Sequence, residues 1–406
     1  MPKRRKTTGR AVGTVARGIR CPIIREGDSI VDITVDAIIN AAFHDNFYLR
    51  DRDVVAVTEA VVGRAQGNYA TSEQIAKDVR NKMGGGTIGV VFPILSRNRF
   101  SILLRSFAKA SKKIVVQLSY PADEVGNHLI SEDALEESGV NPYTDVLSEK
   151  QFREYFGYPI HPFTGMDYIT YYRQLIEEEG CEAEIIFAND PRAILRYTDC
   201  VLCCDIHTLE RSKRWIKKAG GNIVLGMDDI LNESVDGSGY NPEYGLYGSN
   251  KAEEDRVKLF PKDCQEVVDE IARKLYEKTG AKVEAMVYGD GAFKDPVGGI
   301  WELADPVVCP AHTPGLVGTP NEIKLKYLAD NDFKNLEGDE LKEAITEEIK
   351  KKDSNLFGKM ASEGTTPRRI TDLLGSLSDL VSGSGDKGTP VVLVQGYFDN
   401  YSMEDN

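Results

Sequence analysis

Apolar residues along the chain follow two spacings, and each spacing predicts one kind of secondary structure. Between residues 87 and 235, short runs that are apolar throughout predict buried strands, namely TIGVVFPI, KIVVQLSY, AEIIFAN, CVLCCDI and NIVLGMD. Segments with apolar residues at helical spacing separate these runs, for example RFSILLRSFAKASK and HTLERSKRWIKKAG. Strands that alternate with helices and are apolar along their whole length predict a mostly parallel sheet with helices on both faces.

The two parts of the chain outside this region predict a second unit. Strands are predicted at Val54–Thr58, at Val283–Tyr288 and in TPVVLVQGYF near the end of the chain. Helices are predicted from the spacing of apolar residues after Ser29 and over residues 261–280, 334–353 and 369–381. Because these elements come from both ends of the sequence, the two parts are expected to fold together.

We therefore predict an α/β protein in which an α+β core is split by a Rossmann-like, mostly parallel α/β subdomain. The core comprises residues 18–86 and 236–406, and the inserted subdomain comprises residues 87–235. Residues 1–17 begin with MPKRRK and have no apolar run behind it, so a flexible basic tail is predicted rather than a secretory signal.

Composition narrows the class of protein. Of the 406 residues 41% are apolar, but no run approaches the ~18 residues of a membrane span, so no membrane partner is expected. A net charge of -14 argues against a nucleic-acid partner, and an enzyme this acidic needs a divalent cation to bind phosphates. Seven cysteines, an odd number, fit a reducing cytoplasm, and those in TDCVLCCDI are predicted to be buried apolar residues rather than zinc ligands.

Polar residues at the strand ends of the inserted subdomain are candidates for lining a substrate crevice. Strand-end loops of any such sheet are polar, so ordinary surface loops are an equally good interpretation. GGG at residues 84–86 precedes the first strand instead of following it, so a dinucleotide site is not supported. His128 and His161 lie far apart in loops and are predicted to be solvated or hydrogen-bonded rather than metal ligands. The strand-end residues are Ser96, Arg97, Asn98, Asp123, Glu124, Asn189, Asp190, Asp205 and His207.

The stretch KVEAMVYGDGAFKDPVGGIWEL, residues 282–303, holds the first candidate for chemistry. Asp290 stands between two glycines directly after an apolar strand, where the backbone approaches a ligand closely. It is therefore the first candidate metal ligand, and Lys294 follows it in the same loop. A polar turn that closes a hairpin is the alternative.

Residues 236–261 form the second candidate region, a long irregular segment rich in Gly, Asn and Tyr. Asn250 and Lys251 lie beside three acids, Glu253, Glu254 and Asp255. A solvated charged surface is the simpler interpretation. If the segment folds against Asp290, the two loops together supply the oxygen ligands that Mg or Mn requires.

Two pairs of residues are candidates for phosphate contacts. Gly63 and Arg64 follow the predicted strand Val54–Thr58, and Arg368 and Arg369 precede a predicted helix. Guanidinium groups at a helix start suit a phosphate or a carboxylate. A surface turn in the first case and a helix cap with exposed arginines in the second are equally good interpretations.

Several motifs together resemble the coenzyme F-420 gamma-glutamyl ligase family. They are PIIREGD, LRDRDVVAVTEAVVGRAQG, the stretch from GLYGSNKAEED to KLFPKD, VYGDGAF and ITDLLGSLSDLVSGSGDKGTPVVLVQG. They occur in the order of the family, lie on both sides of the insert and make up roughly half of the chain. That family adds glutamate to a deazaflavin coenzyme precursor and uses GTP and a divalent metal.

The resemblance implies roles for particular residues. Asp290 matches a metal-binding aspartate, and one of Glu253, Glu254 and Asp255 falls where another is expected. Asp290 and Lys294 are assigned to catalysis. The nucleotide is assigned to Gly63, Arg64, Ser249, Asn250, Lys251, Gly291, Arg368 and Arg369. The family's Ser-Lys after the second strand is Glu59 and Ala60 here, and KDPVGG replaces an aromatic and arginine-rich run after Asp290.

The resemblance and its departures predict a GTP- or ATP-dependent ligase with Mg or Mn and altered acceptor specificity. It would join a small-molecule carboxylate acceptor to glutamate or another amino acid through an acyl phosphate, as a cytoplasmic homodimer. A protein that binds a nucleotide or metabolite without turnover is the alternative, because a family lysine is missing. A third hypothesis places the main chemistry in the inserted sheet.

Overall fold

The structure is a computed structural model that describes residues 12–162, 164–289, 307–352, 355–356, 358–362, 368–382 and 386–402. Within these residues the chain forms three sheets with five, six and three strands. Parallel and antiparallel pairs occur together with helices, which confirms the predicted α/β class.

The five-stranded sheet is built from both ends of the chain. Its strands are β1 (Val15–Ile19), β2 (Val54–Thr58), β12 (Glu284–Tyr288), β13 (Ala311–His312) and β14 (Val391–Gln395), in the order β1-β14-β2-β12-β13. Strands β2 and β12 are parallel, and the other pairs are antiparallel. The predicted strands of the core are confirmed.

Helices pack on both faces of this sheet. They are α1 (Ile30–His44), α2 (Glu59–Ala65), α9 (Cys264–Thr279) and α12 (Ile370–Ser382), whereas α10 (Leu325–Tyr327) and α11 (Gly338–Lys351) contribute to a separate small cluster of apolar residues. Val35 and Ile38 of α1 and Ile271 of α9 share one buried cluster with the sheet, and Leu374 of α12 lies in a second cluster on the other face. The strands are apolar along their length because both faces are covered.

The six-stranded sheet contains every strand predicted between residues 87 and 235. Its strands are β4 (Thr87–Val91), β5 (Lys113–Leu118), β6 (Leu147–Ser148), β7 (Glu182–Phe187), β8 (Cys200–Cys203) and β9 (Ile223–Gly226). The order is β6-β7-β5-β4-β8-β9, and only the edge strand β6 is antiparallel. Cys203 and Cys204 are buried, as their apolar pattern predicts.

Helices α3 (Ser72–Met83), α4 (Ser101–Ala110), α5 (Glu132–Ser138), α6 (Glu149–Phe156), α7 (Tyr168–Glu177) and α8 (Leu209–Lys218) accompany this sheet. A large buried cluster joins it to α3 and to the apolar residues Leu246, Val257 and Leu259. These residues lie outside the predicted insert but pack in the same core. The domain boundaries at residues 87 and 235 stay a prediction.

A small antiparallel sheet connects the two larger ones. It consists of β3 (Tyr69–Thr71), β10 (Asn250–Lys251) and β11 (Arg256–Lys258), in the order β10-β11-β3. The segment predicted to be irregular therefore contains a short hairpin. The buried side chain of Asn68 fixes this segment, since its amide donates to the carbonyl oxygens of Tyr240 and Phe260 at 3.0 and 2.9 Å.

Two local expectations differ from the structure. Gly63 and Arg64 lie in helix α2 instead of a turn, because Glu59, Val62 and Ala65 place a buried helical face after the strand. Strand β1 begins at Val15, within the stretch expected to be a tail, because it pairs with β14 along its whole length. No helix among the described residues has the length and apolarity needed to cross a membrane.

Candidate active site

The carboxyl ends of β2 and β12 meet at one edge of the five-stranded sheet. The strands are parallel, and Thr58 lies opposite Tyr288. Glu59 follows β2 directly, and the chain leaves β12 through Gly289 towards the predicted site. Asp290, Gly291 and Lys294 lie outside the described residues. Gly289, the residue before Asp290, therefore lies at the same end of the sheet as Glu59.

A buried ion pair occupies this edge. The Nζ atom of Lys258 lies 2.6 and 2.9 Å from the two carboxylate oxygens of Glu59. Only 8% of Lys258 and 4% of Glu59 is exposed. Both charges are therefore removed from water, and each partly offsets the cost of burying the other. Nearby, burial first and the Glu59 charge second raise the pKa of the Cys264 thiol to about 12.

Helix α2 and strand β11 approach closely enough to hold this pair. A Cβ atom added at Gly63 would lie 3.0 Å from the carbonyl oxygen of Leu259 and 3.6 Å from Cδ of Lys258. Gly63 is buried, whereas Arg64 is exposed. Gly63 therefore serves close packing, because a side chain at this position would push β11 and the residue after it away from α2.

The hairpin of β10 and β11 carries other predicted residues. Asn250 lies opposite Lys258, and the backbone N–H of Lys251 donates to the carbonyl oxygen of Asn98 at 2.9 Å. Ser249 is buried and lines a small cavity at the edge of the six-stranded sheet. The nucleotide contacts expected at Ser249, Asn250 and Lys251 thus lie between the two larger sheets.

The three acids of the hairpin turn are exposed to solvent. Glu253 forms an ion pair with Arg256 at 3.4 Å, and Glu254 and Asp255 follow it in the turn. Within the described part of the chain, no three His, Cys, Asp or Glu side chains lie close enough to hold a metal ion. The metal site expected at Asp290, Glu253, Glu254 and Asp255 therefore stays a prediction.

The two arginines before α12 lie at the surface. Arg369 is mostly exposed and its Nε lies 3.3 Å from a carboxylate oxygen of Asp372 in the same helix. Arg368 precedes it at the first described residue of this segment. Their predicted phosphate contacts stay a prediction.

Comparison with protein families provides an independent finding. The family model for F420-0:gamma-glutamyl ligase matches residues 18–396, nearly the whole chain. The chain belongs to this ligase family. A comparison with curated proteins finds no match.

Membership in the F420-0:gamma-glutamyl ligase family extends the sequence resemblance. The motifs that suggest it lie on both sides of the insert, whereas the family match runs through residues 87–235 as well. The family is one of enzymes, and the chain is therefore assigned to a ligase family. The Glu59–Lys258 pair lies at the sheet edge from which the family motif VYGDGAF continues.

Sequence reasoning did not find this pair. Lys258 was not a candidate, and Glu59 was noted only as a departure from the family's Ser-Lys. The two residues are 199 positions apart, and no local pattern connects them. A lysine in the otherwise apolar stretch VKLFP was the available signal, because a buried lysine requires a partner.

Proposed function

We propose that the chain is a nucleoside-triphosphate- and metal-dependent ligase that forms an amide between an acceptor carboxylate and glutamate or another amino acid. The family match over residues 18–396 carries this proposal. The geometry supports it, because parallel strands β2 and β12 end side by side at the edge where the family motif continues. In this proposal GTP or ATP is the co-substrate and Mg or Mn is the metal. The active protein is a cytoplasmic homodimer.

The proposed reaction has two steps. An oxygen of the acceptor carboxylate attacks the terminal phosphorus of the nucleotide, and the bond to the nucleoside diphosphate breaks. The amino nitrogen of the second substrate then attacks the carbonyl carbon of the acyl phosphate. Inorganic phosphate leaves with the electrons of the C–O bond, and the amine proton passes to solvent. Such chemistry needs positioned charges rather than a nucleophilic side chain.

Lys258 and Glu59 are assigned a positioning role in this reaction. The pair joins α2 to β11 and fixes the Lys258 ammonium, together with its Glu59 counter-charge, next to the strand ends. The described residues do not by themselves offer a set of metal ligands, so no step is assigned through the metal. A chain with net charge -14 nevertheless favours a nucleotide that arrives with its divalent cation.

The proposal is tested by thermal unfolding with GTP or ATP in the presence of Mg, Mn or EDTA. A ligand that binds the folded state raises the melting temperature by mass action. We expect a metal-dependent rise in the wild type that disappears in Asp290→Asn. Asp133→Asn, which removes an exposed carboxylate of α5, is the matched control and should keep the rise.

Turnover is tested by phosphate release with L-glutamate and a panel of carboxylic acids. Release that requires nucleotide, metal and an acceptor supports the ligase. Nucleotide binding without phosphate release for any acceptor supports the alternative of a binding protein. Absence of a melting-temperature rise with both nucleotides contradicts the proposal.

A further inference from the structure

The six-stranded sheet has a topological switch point between β4 and β8. From β4 the chain proceeds to β5 and then β7 on one side, and afterwards to β8 and β9 on the other. The loops that follow β4 and β8 therefore leave the sheet in opposite directions. In open α/β sheets, ligands bind in the crevice that this divergence creates at the carboxyl ends of the strands.

Glu124 reaches across this crevice. It belongs to the loop after β5, yet its two carboxylate oxygens accept hydrogen bonds from the backbone N–H groups of Ile206 and His207, which follow β8. One oxygen faces each N–H group, with 3.1 Å at His207. The backbone after β8 thus presents two consecutive donors to a planar carboxylate. Backbone N–H groups arranged in this way form an anion-binding concavity.

The neighbouring Asp123 carboxylate has a structural role and differs from Glu124 in its hydrogen bonds. Its oxygens accept from the backbone N–H groups of Leu95, Val125 and Asn127 and from the Asn127 amide, at 2.7 to 3.1 Å. Four donors from its own loop and the β4 loop hold it in place. Within the described residues, the Glu124 carboxylate accepts from two N–H groups, both on a loop 82 or more residues away.

A second feature lies beside Ile206, one of the two donor residues. A cavity of about 20 Å³ lies beside the β8 end and is lined by Cys204, Ile206, Tyr247 and Ser249, among others. Ser249 is 3% exposed, and its Oγ has no hydrogen-bond partner among the residues that the structure describes. The cavity has room for about one water-sized group. A buried hydroxyl without a partner is costly unless a ligand or water completes it.

The backbone at the end of β4 is also unusual. Phe92, the first residue after the strand, has a φ of 54°. A bulky residue in this region is strained, and such strain is concentrated at ligand sites. The crevice is thus bordered by a strained backbone, two donor N–H groups and an unsatisfied hydroxyl.

We propose that this crevice binds a small molecule through a terminal carboxylate on the N–H groups of Ile206 and His207, and that the Glu124 carboxylate takes this position when the ligand is absent. The inference goes beyond the proposed function, because the site lies on the inserted sheet and requires neither nucleotide nor metal.

The surroundings favour a carboxylate over a phosphate. The side chains of Asp123 and Asp205 lie near Glu124, so a doubly charged anion is repelled more than a singly charged one. Burial raises the pKa of Glu124 to about 7, and the two aspartates contribute to the rise. The charged form of Glu124 is therefore poorly compensated in this position.

Displacement is tested by hydrogen exchange of peptides that contain residues 206 and 207, together with calorimetric titration. The probes are L-glutamate, succinate and inorganic phosphate. In Glu124→Ala the two amides lose their acceptor, so faster exchange is expected, and a bound carboxylate should restore protection. The apparent affinity for a carboxylate should rise ~10-fold or more over the wild type, since the site is no longer occupied by the protein itself.

Glu124→Gln provides a second variant that preserves the size of the side chain and should show a smaller gain. Glu136→Ala, which removes an exposed carboxylate of α5, is the control and should behave as the wild type. Equal affinities in the wild type and in both Glu124 variants, or protection that no carboxylate restores, would overturn the proposal. Stronger protection by phosphate than by either carboxylate would overturn the assigned ligand class.

Discussion

The two larger sheets each place a glutamate at the carboxyl ends of their strands, and the two carboxylates are compensated differently. Glu59, after β2, is paired with the buried ammonium of Lys258. Glu124, after β5, is held by two backbone N–H groups and lies near two other acids. Breaking a buried ion pair of this geometry is costly, because the remaining charge loses its close partner of opposite sign. The Glu124 carboxylate is the one that we propose to be exchangeable, because a ligand carboxylate fits the same two backbone donors.

The largest effect on stability is expected from breaking the ion pair between Glu59 and Lys258. Lys258→Met removes the ammonium that lies 2.6 and 2.9 Å from the carboxylate oxygens of the buried Glu59, which should lower the free energy of unfolding by about 3–5 kcal/mol. Urea unfolding measures the loss. In the double variant Glu59→Gln/Lys258→Met no charge remains buried, so a large part of the stability should return. A double variant as unstable as Lys258→Met would show that packing, rather than charge, is responsible.

The next largest effect is a dependence of stability on pH that comes from Glu124. The pKa of Glu124 in the folded protein, about 7, lies above its ordinary value of 4.5. The folded state therefore binds this proton more tightly than the unfolded state does, and the associated stability is complete below about pH 4.5 and lost as the pH rises through about 7.

Glu124→Gln stays neutral and escapes this loss. Relative to the wild type it should gain roughly 2 kcal/mol between about pH 5 and about pH 8, at ~1.4 kcal/mol per pKa unit. Urea unfolding across this range measures the difference. Glu136→Gln, on the exposed face of α5, is the control and should follow the wild type. Parallel curves for wild type and Glu124→Gln would contradict the raised pKa.

A smaller effect on stability tests how closely α2 packs against β11 at Gly63. Gly63→Ala places a Cβ atom 3.0 Å from the carbonyl oxygen of Leu259, so β11 must shift, at about 1–3 kcal/mol. The next residue in the same helix provides the control, because Arg64 is exposed and Arg64→Ala should change stability by less than about 0.5 kcal/mol. Thermal unfolding of both variants gives the comparison. Equal effects would argue against close packing of α2 on β11.

The smallest effect on stability concerns the hydroxyl of Ser249, beside the six-stranded sheet. Ser249→Ala removes a buried Oγ without a partner in the described part of the chain, so it should be neutral or stabilise by up to ~1 kcal/mol. Ser212→Ala is the matched substitution, since its Oγ donates to Asp205 at 2.8 Å and its loss should destabilise by about 1–2 kcal/mol. Equal destabilisation by both would show that Ser249 has a partner in the unliganded protein.

The longer strands of the six-stranded sheet could be predicted because each depends on neighbouring residues. A run such as KIVVQL is apolar on both sides, and that suffices to predict a strand covered by helices, as β5 is. Helix α2 was missed for a related reason. Its seven residues hold too few apolar positions for the helical spacing to stand out, and the burial of Glu59 depends on Lys258.

The candidate sites were predictable only in part. Strand-end polar residues were identified from the sequence, including Asp123, Glu124, Asp205 and His207, but the same pattern describes ordinary surface loops. Their different roles follow from distances across the sheet. Asp123 is fixed by its own loop, whereas Glu124 crosses to the backbone after β8. The roles predicted for Asp290 and Lys294 lie outside the described residues and stay predictions.

The sequence by itself determined the order of strands and helices, the α/β class and the family, because these depend on local spacing and on motifs of adjacent residues. Only the tertiary structure decided which charges compensate one another. Glu59 and Lys258 are 199 positions apart, and Glu124 meets Ile206 across 82. Such pairs depend on how strands from distant segments align in a sheet, and no local pattern encodes that alignment.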